Sequence, residues 1–499
     1  MRWDTSSKRS GRNLADGEAS SGPDTTNRHK GTPPELLGGV RVTKGIGSAF
    51  MGAINQRLVS LIAICILSFL IRVIAILTLI QDPTMGMDPQ YWNGALNLKE
   101  AHVYSEMRPP STHPTANRPL GYSLWIALLG GSKSLVIIAQ ILLSVATAGL
   151  VYAIVEKAGS RKNATVAGII YAMAPYSAYM AGRIASETLF TFLFVSALYC
   201  LSRQESTKNT FRDSFWSRYR YLMGAGASLG IACLVRPIGL GLLGIAIIYM
   251  AITIVRKYSL KSYTTFVLIA LLPISLWGIR NKVLFGDPLW GGVNADIVFA
   301  HYIAAWTLSR AENISVDEAR AAIGAIDELA PRAEELHELR RRAWHVLRRY
   351  PREWLKGYMQ GIPILLLGME PYGPDLFPRP EETISRGIRD LLTQGEIRLA
   401  LRQFLKLRWD KYRNKAKVFY SYSILYNLAT IVLSIWGLRK CLRAFGSLGV
   451  LGILWGFWLI LAPCPQTSAR FRMPVEPLLA IAASAVFYRY DEFEKKISL

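Results

Sequence analysis

Residues 58–80 read LVSLIAICILSFLIRVIAILTLI, an almost unbroken apolar run that contains one charge, Arg72. An α-helix needs about 20 apolar residues to cross roughly 30 Å of hydrocarbon, so this run predicts a membrane-spanning helix. Similar runs recur along the 499 residues, of which 51% are hydrophobic and 19% charged. Because a charge inside a span is costly, we expect Arg72 to face the helix bundle or to reach toward the interface. The sequence predicts an all-α polytopic membrane protein.

The net charge of +23 does not indicate a nucleic-acid-binding protein. Lys and Arg lie mostly in short loops between apolar runs, which is the distribution expected of cytoplasmic loops, and they form no single basic face. Some of them are expected to hold anionic headgroups of the lipid bilayer. We therefore predict a multi-pass protein of the plasma (inner) membrane and no nucleic-acid partner.

The alternation of polar and apolar segments divides the chain into four regions. Residues 1–55 predict a disordered cytoplasmic tail, and residues 56–284 predict the transmembrane core with a first outer loop at 81–118. Residues 285–416 predict a small helical segment outside the membrane or at its interface, and residues 417–499 predict the C-terminal transmembrane helices. This placement delivers the basic residues after 438 to the cytoplasm and gives about ten (10–12) spans.

Periodicity and proline positions give finer expectations inside these regions. We predict a surface helix at 88–101, single spans at 164–181 and 474–488, and a break between two spans at Arg236-Pro237. In the region outside the spans we predict a soluble helix at 329–350, a proline-rich loop at 371–380 and an amphipathic helix at 384–407 that lies on the membrane.

Charged residues gather at the outer ends of the predicted spans. They are Asp88 with Arg118, Arg183 with Glu187, and the span-end arginines Arg236, Arg280, Arg470 and Arg472. Arginine should be depleted on the outer side of a membrane, so this group requires a reason. A lipid-linked phosphate supplies one, because guanidinium groups bind phosphate oxygens in two-pronged fashion. For any single arginine, snorkelling or ion pairing is an equally good interpretation.

Asp88 is the candidate chemical group of the first outer loop. A carboxylate at the mouth of a helical bundle can serve as a base or can bind a divalent cation. The alternative is a structural role, because Asp88 directly precedes Pro89 and could cap a helix. Glu187 likewise could cap a helix, pair with Arg183 or complete an acidic site. No Gly-rich phosphate loop is present to hold a nucleotide sugar.

Five blocks of sequence, in order, resemble the GT-C superfamily of membrane glycosyltransferases. They resemble most its protein mannosyltransferase-like branch, which includes aminoarabinose–lipid A transferases and bacterial relatives that act on lipopolysaccharide. The blocks are Asp88 with Tyr91, Ala95 and Tyr104; Arg118-Pro119-Leu120-Gly121-Tyr122; Ser186 to Phe192; Arg236-Pro237-Ile238-Gly239 with Ile279-Arg280-Asn281 and Phe285-Gly286; and Ala469 to Pro474 with Glu476-Pro477-Leu478.

This resemblance implies a transfer from a polyprenyl-phosphate sugar to a hydroxyl group on a glycolipid, glycan or protein, at the outer face of the membrane and with inversion. It assigns Asp88 as the base, the six arginines named above to the donor phosphate, and Tyr91, Tyr122 and Glu187 to substrate contacts. It implies no certain cofactor, and a divalent cation could assist at Asp88. Many members carry Asp-Glu where this chain has Asp88-Pro89. That difference removes a second adjacent carboxylate from the expected site.

Two other functions fit parts of the pattern. A transporter or flippase of lipid-linked sugars would place charges at mid-membrane along a path, whereas most of these charges are predicted at one side. A polymerase or ligase of surface polysaccharide would share the donor class and would differ in its acceptor.

Overall fold

A computed structural model describes residues 40–80, 82–83, 88–204, 215–254, 260–329, 331–368, 414–464 and 469–488, together with the single residues 399 and 402. The chain divides into two units, Met1–Asn55 and Gln56–Leu499. In the first unit the described backbone is helical from Val40, which falls inside the predicted tail. The predicted loop at 371–380 lies outside the described residues, as does nearly all of the predicted amphipathic helix at 384–407.

The described residues form helices and no strand. The first half of the chain contains α1 (Val40–Leu79), α2 (Pro89–Glu100), α3 (Gly121–Leu128), α4 (Lys133–Ala158), α5 (Arg161–Ala172), α6 (Pro175–Ala181), α7 (Glu187–Gln204), α8 (Phe215–Val235), α9 (Gly239–Ile254) and α10 (Leu260–Phe285).

The second half continues with α11 (Val293–Ile297), a π-helical segment (Val298–Ala304), α12 (Ala305–Glu312), α13 (Val316–Ile323), α14 (Ala333–Arg349) and α15 (Pro351–Leu367). It ends with α16 (Asn414–Phe445), α17 (Ser447–Leu461), a 3₁₀ segment (Ala469–Val475), α18 (Glu476–Ser484) and a final 3₁₀ turn (Ala485–Phe487).

The predicted class, an all-α polytopic membrane protein, is confirmed. Within the described residues, four helices are long and apolar enough to cross a membrane: Gln56–Leu79, Lys133–Ala158, Leu260–Phe285 and Asn414–Phe445. Tyr219–Val235, Gly239–Thr253 and Ser447–Leu461 are shorter apolar helices. The predicted break at Arg236-Pro237 and the surface helix near 88–101 are also present, as the junction of α8 with α9 and as α2.

Two predicted spans are wrong in detail. The run 164–181 is not one helix, because Pro175 begins α6 and Ala174 before it is extended, with ψ 117°. A residue that precedes proline is forced out of the helical region, which explains the break. The run 474–488 contains only the nine residues of α18 in α-helix, between two 3₁₀ segments.

Glycines bring the core helices into close contact. A Cβ atom on Gly226 of α8 would lie 2.8 Å from the carbonyl oxygen of Phe266, and one on Gly230 would lie 2.5 Å from that of Ala270, both on α10. Small residues permit this approach, which is common between membrane helices. On the opposite face of α10, Leu268, Leu272 and Leu276 are each about 60% exposed, as expected of a surface that faces lipid.

Arg72 faces the bundle, as expected for a charge inside a span. Its guanidinium is fully buried and donates hydrogen bonds to Ser144 Oγ and to the carbonyl oxygen of Ala172, both at 2.8 Å. Arg472 and Glu476, also fully buried, form an ion pair at 3.1 Å in the same interior. The ion pair and the hydrogen bonds offset much of the cost of burying these charges, although one guanidinium nitrogen of Arg72 has no hydrogen-bond partner among the described residues.

We predict that Gly437→Ala in α16 lowers the free energy of unfolding by roughly 1–3 kcal/mol, because overpacking of a close contact is destabilising. The new Cβ would lie 2.1 Å from the backbone oxygen of Ala482, which cannot move aside as a side chain can. Thermal unfolding of the detergent-solubilised protein measures this change. The matched control is Gly244→Ala in α9, where nothing lies within 4 Å and stability should be unchanged or slightly higher. Equal stability of both variants would contradict the proposed packing.

Candidate active site

Asp88 caps α2, so the structural role considered for it is confirmed. Its side chain accepts a hydrogen bond from the backbone N–H of Gln90, with Oδ1 as acceptor at 3.0 Å, and Pro89 occupies the first helical position. The second carboxylate oxygen, Oδ2, forms an ion pair with Arg118. The Asp88 side chain is 28% exposed and that of Arg118 is 22% exposed. The pair therefore lies at a partly open surface, where a ligand can compete for it.

Two tyrosines extend this pair into the protein. The guanidinium of Arg118 lies over the Tyr91 ring, 5.3 Å from its centroid, and Tyr91 meets Tyr122 edge-on at 5.2 Å. Tyr122 is fully buried and donates a hydrogen bond to Gln140 Oε1 at 2.8 Å. An aromatic wall on one side of Arg118 restricts the directions in which its guanidinium can move.

Glu106 is a buried acid that the sequence interpretation missed. Its side chain accepts hydrogen bonds from the backbone N–H groups of Asn117 at 2.7 Å and Arg118 at 2.8 Å, and from Thr115 Oγ1 at 3.0 Å. Burial raises its pKa from the ordinary 4.5 to about 7, although these hydrogen bonds and the positive charge of Arg118 oppose the rise. The available signal was a lone acid in the segment that precedes the Arg118-Pro119 block. Glu106 holds the backbone from which Arg118 extends.

Gly121, in the block Arg118 to Tyr122, lets α3 approach the end of α8, where a second charged group lies. A Cβ on Gly121 would lie 2.6 Å from the backbone of Leu234 in the last turn of α8, so only glycine allows α3 to pack there. Arg236 follows directly and forms an ion pair with Glu187 at 2.6 Å. Arg470 approaches the same Glu187 oxygen at 3.9 Å, and both arginines lie against the ring of Phe471.

Tyr122 links the two charged groups: its ring contacts that of Tyr91, and the charge of Glu187 acts on its hydroxyl. The outer segments are also joined directly. Ile184 donates its backbone N–H to the carbonyl oxygen of Pro83 at 3.3 Å. Seven of the predicted site residues therefore share one region: Asp88, Tyr91, Arg118, Tyr122, Glu187, Arg236 and Arg470.

The remaining three arginines are placed differently from the prediction. Arg183 does not pair with Glu187; its guanidinium donates to the carbonyl oxygen of Asp82 at 2.6 Å. Arg280 donates to the carbonyl oxygens of Thr115 at 2.8 Å and Tyr104 at 3.2 Å.

Arg472 is fully buried, with hydrogen bonds from its three nitrogens to Glu476 Oε1, Thr430 Oγ1 and the carbonyl oxygen of Leu366. Arg280 and Arg472 thus bind acceptors within the protein. Their position at the end of a span did not reveal this, because the sequence does not show which arginines the packing encloses.

The residues around Asp88 do not fit a divalent cation. The neighbours of its carboxylate are a guanidinium and a backbone N–H, whereas Mg²⁺ and Ca²⁺ prefer oxygen ligands. Among the described residues, no group of three or more His, Cys, Asp or Glu side chains is placed to hold a metal. The shared region instead contains three guanidinium groups, Arg118, Arg236 and Arg470, against the carboxylates of Asp88 and Glu187 and the buried Glu106, whose pKa is raised to about 7. Positive charge is in excess while Glu106 holds its proton, and the region then prefers an anion.

We predict that Glu106 makes the stability of the protein depend on pH. A buried acid with a raised pKa binds its proton more tightly in the folded than in the unfolded state, so its stabilising effect is complete below pH 4.5 and is lost as pH rises through about 7. The free energy of unfolding of the wild type, relative to Glu106→Gln, should fall by on the order of 3 kcal/mol across that interval. Chemical unfolding of both proteins at pH 4.5 to 8 measures the difference, and a constant difference would refute the assignment.

Residues 119–278 match the family model of the dolichyl-phosphate-mannose-protein mannosyltransferases. The matched segment runs from Pro119 to Gly278 and contains Glu187 and Arg236, whereas Asp88, Arg118 and Arg470 lie outside it. Comparison with curated protein sequences gives no match.

Among solved structures, the chain is similar to the oligosaccharyltransferase of Archaeoglobus fulgidus tethered with an acceptor peptide, at a TM-score of 0.44 and 10% identity over 85% of this chain and 49% of the other. The enzyme from the same organism, AglB, in complex with an inhibitory peptide and a dolichol-phosphate gives 0.44 and 11%, over 85% and 50%. This chain spans about half the length of the archaeal enzyme. ArnT of Cupriavidus metallidurans in the apo state gives 0.36 and 13%, over 88% and 78%.

These TM-scores and identities are low, so the predicted family resemblance is judged by the family match alone. Over residues 119–278 that match supports the predicted resemblance to membrane glycosyltransferases of the protein mannosyltransferase type.

Proposed function

We propose that this protein transfers a sugar from a polyprenyl-phosphate donor to a hydroxyl group of a cell-envelope glycan, glycolipid or protein, with inversion at the sugar carbon. Two charged groups support this most directly: the pair of Asp88 with Arg118, and the cluster of Glu187, Arg236 and Arg470. The helix α3 connects them through the contacts of Tyr122 with Tyr91 and of Gly121 with Leu234. A carboxylate that can take a proton thus lies next to an excess of guanidinium groups that can hold a phosphate.

Arg118, Arg236 and Arg470 are the proposed phosphate ligands. Their side chains are 22%, 18% and 36% exposed, so each is anchored in protein and still reachable. Arg472 and Arg280 are left out because their nitrogens are bonded to protein carbonyl, hydroxyl and carboxylate oxygens. A planar guanidinium suits a phosphate better than an ammonium, since it offers two parallel donors.

In the proposed reaction, Asp88 is the general base. The acceptor O–H gives its proton to the Asp88 carboxylate while the acceptor oxygen forms a bond to the anomeric carbon. The bond from that carbon to the phosphate oxygen breaks, and the polyprenyl phosphate leaves with the electron pair. Arginines that stabilise the departing phosphate lower the barrier most if they are already in place.

The ion pair between Asp88 and Arg118 connects donor binding to this proton transfer. Arg118 pairs with Asp88 Oδ2. A donor phosphate competes for the guanidinium and so releases the oxygen that accepts the proton. The hydrogen bond from Gln90 to Oδ1 holds the carboxylate orientation in the meantime. Tyr91 and Tyr122 then provide the wall against which the sugar lies.

The reaction is placed at the extracytoplasmic face of the inner membrane. Supporting this, the proposed site lies at the ends of α7 and α8 that are opposite the basic segment around Arg203 and residues 205–214, which the charge rule assigns to the cytoplasm. A polyprenyl tail can stay in the bilayer while its phosphate reaches this level.

A transporter of lipid-linked sugars is the alternative function. The observation that favours it is the set of charges in the bundle interior, Arg72, Arg472 and Glu476. All three are at most 1% exposed, however, and they bond to protein groups on α4, α5, α6 and α16. Charges along a transport path would face water at some point, so this packing favours the transferase.

We predict that Asp88→Asn lowers kcat by about 10²–10⁴-fold, which is the usual contribution of a general base. Because the amide oxygen can still cap α2, the thermal unfolding midpoint should stay close to that of the wild type. The assay is transfer from a polyprenyl-phosphate sugar in detergent micelles. Micelles have one compartment, so product formation there also separates a transferase from a transporter.

The matched control for this substitution is Asp317→Asn, because Asp317 is 77% exposed at the start of α13 and remote in sequence from the site. It should retain full activity. Wild-type turnover by Asp88→Asn would eliminate the assignment of Asp88 as base.

We predict that Arg470→Gln lowers kcat/KM for the donor by roughly 10²–10³-fold, the loss typical when one preorganised donor to a developing anion is removed. Arg470→Lys should recover only part of this, since an ammonium cannot replace the guanidinium fork. Arg332→Gln, at a position 83% exposed, is the control and should behave as the wild type. Equal kcat/KM values for Arg470→Gln and Arg332→Gln would remove Arg470 from the donor site.

A further inference from the structure

An open cavity of about 390 Å³ lies between the segment 287–296, which follows α10, and the helix α14. Its lining residues include Asp287, Trp290, Asp296, His337 and Arg340, and the Trp290 ring also packs against Gly278 of α10. The volume falls within the range of roughly 300–1,000 Å³ that small-molecule sites occupy. We call it the acidic cavity, and no part of the proposed function so far uses it.

Arg340 organises the floor of the acidic cavity. Its guanidinium donates to Asp287 Oδ2 at 2.7 Å and to both oxygens of Asp296 at 2.7 and 2.8 Å. Burial pushes the pKa of Asp287 upward, but the hydrogen bonds from Arg340 and from the Leu289 N–H outweigh it and hold that pKa below its ordinary value. Two carboxylates against one guanidinium leave a negative charge, in a chain whose net charge is +23.

The backbone around the acidic cavity is held in unusual conformations. Gly286, Leu289 and Gly292 all have positive φ, at 74°, 42° and 72°. Leucine rarely adopts such a φ, and surrounding contacts must enforce it. Here the Leu289 N–H donates to Asp287 Oδ1 at 2.9 Å, and its carbonyl oxygen accepts from the indole of Trp277 at 3.1 Å. The wall is therefore shaped before any ligand arrives.

The same wall is bonded to the first outer loop. Val293 and Asn294 donate their backbone N–H groups to the carbonyl oxygens of Ala116 at 3.0 Å and Asn117 at 2.9 Å. A Cβ on Gly292 would lie 2.5 Å from the Asn117 oxygen, so glycine is needed for this approach. Arg118 is the next residue, which puts the acidic cavity one backbone segment away from the pair of Asp88 and Arg118.

We propose that the acidic cavity binds a sugar of the acceptor, one that carries hydroxyl or amino groups and no negative charge. Trp290 is 44% exposed, so it offers a surface for the apolar face of a sugar ring. The carboxylates of Asp287 and Asp296 accept hydrogen bonds from hydroxyl or ammonium groups, and His337, 70% exposed, lies at the rim. A phosphate or carboxylate is repelled.

This inference rests on the proposed function and adds a division of labour to it. The donor phosphate goes to the cluster of Arg118, Arg236 and Arg470, where positive charge is in excess. The acceptor sugar goes to the acidic cavity, where negative charge is in excess. Opposite charge balance at two connected positions keeps the two substrates from exchanging places.

The test is saturation-transfer NMR on the full chain in detergent micelles with three probes: methyl α-glucoside, glucosamine and glucuronate. We expect the neutral and the amino sugar to bind and glucuronate to give no saturation. Trp290→Ala should raise the Kd of the bound sugars at least roughly tenfold, as loss of an aromatic anchor does. Asp296→Asn should weaken the binding of glucosamine more than that of methyl α-glucoside, because the substitution removes the negative charge of the side chain and keeps its shape.

The control is Trp344→Ala, since Trp344 is a similarly exposed indole (42%) on α14 that does not line the cavity. Identical binding to Trp290→Ala and Trp344→Ala would overturn the proposal, as would binding of glucuronate as strong as that of glucosamine, or binding of none of the probes. Asp88→Asn separates the two hypotheses. It should bind the sugars normally while transfer is lost; an active Asp88→Asn that still binds them contradicts the base assignment and leaves the acidic cavity intact.

Discussion

The hydrogen bonds from the backbone N–H groups of Asn117 and Arg118 to the buried carboxylate of Glu106 hold the first outer loop in place. They fix the backbone from which Arg118 reaches Asp88, and Asn117 in turn accepts the N–H of Asn294 beside the acidic cavity. An ionisable group is expensive to bury, and satisfying its oxygens with backbone donors is the usual way to offset that cost. Both proposed substrate positions therefore depend on one buried acid.

Close packing of α3 against α8 positions the second charged group, which contains Glu187 and Arg236. Because Gly121 has no side chain, α3 can press on the last turn of α8, and Arg236 then emerges beside Glu187 near the base of the first outer loop. The resulting excess of guanidinium groups suits a phosphate, whereas the pair of carboxylates around Arg340 suits an uncharged or cationic group. Differences in charge over a short stretch of surface can thus sort a lipid-phosphate donor from a sugar acceptor without separate domains.

The arginines show which features of the site can be predicted from residue type and which cannot. Six outer arginines are equivalent in the sequence, and all six were predicted to meet the donor phosphate. In the structure Arg118, Arg236 and Arg470 are partly exposed beside carboxylates, whereas Arg472 is enclosed and Arg280 holds loop carbonyls. Glu106 was not predicted, because its role depends on burial and on hydrogen bonds from backbone N–H groups, and neither produces a recognisable pattern in the local sequence. The pairing of Asp88 with Arg118 was predictable because both residues belong to recognisable blocks.

Three features were evident before folding was considered: the membrane-spanning helical class, the break at Pro237 and the helix that starts at Pro89. Each of these follows from local composition, since hydrophobic length, proline geometry and capping act over a few residues. Other contacts became visible only in the folded protein: Glu187 pairs with Arg236 and not with Arg183, and Asp287 and Asp296 meet at Arg340. Those contacts join residues far apart in the chain, and their formation depends on how the helices and loops pack, which local sequence does not encode.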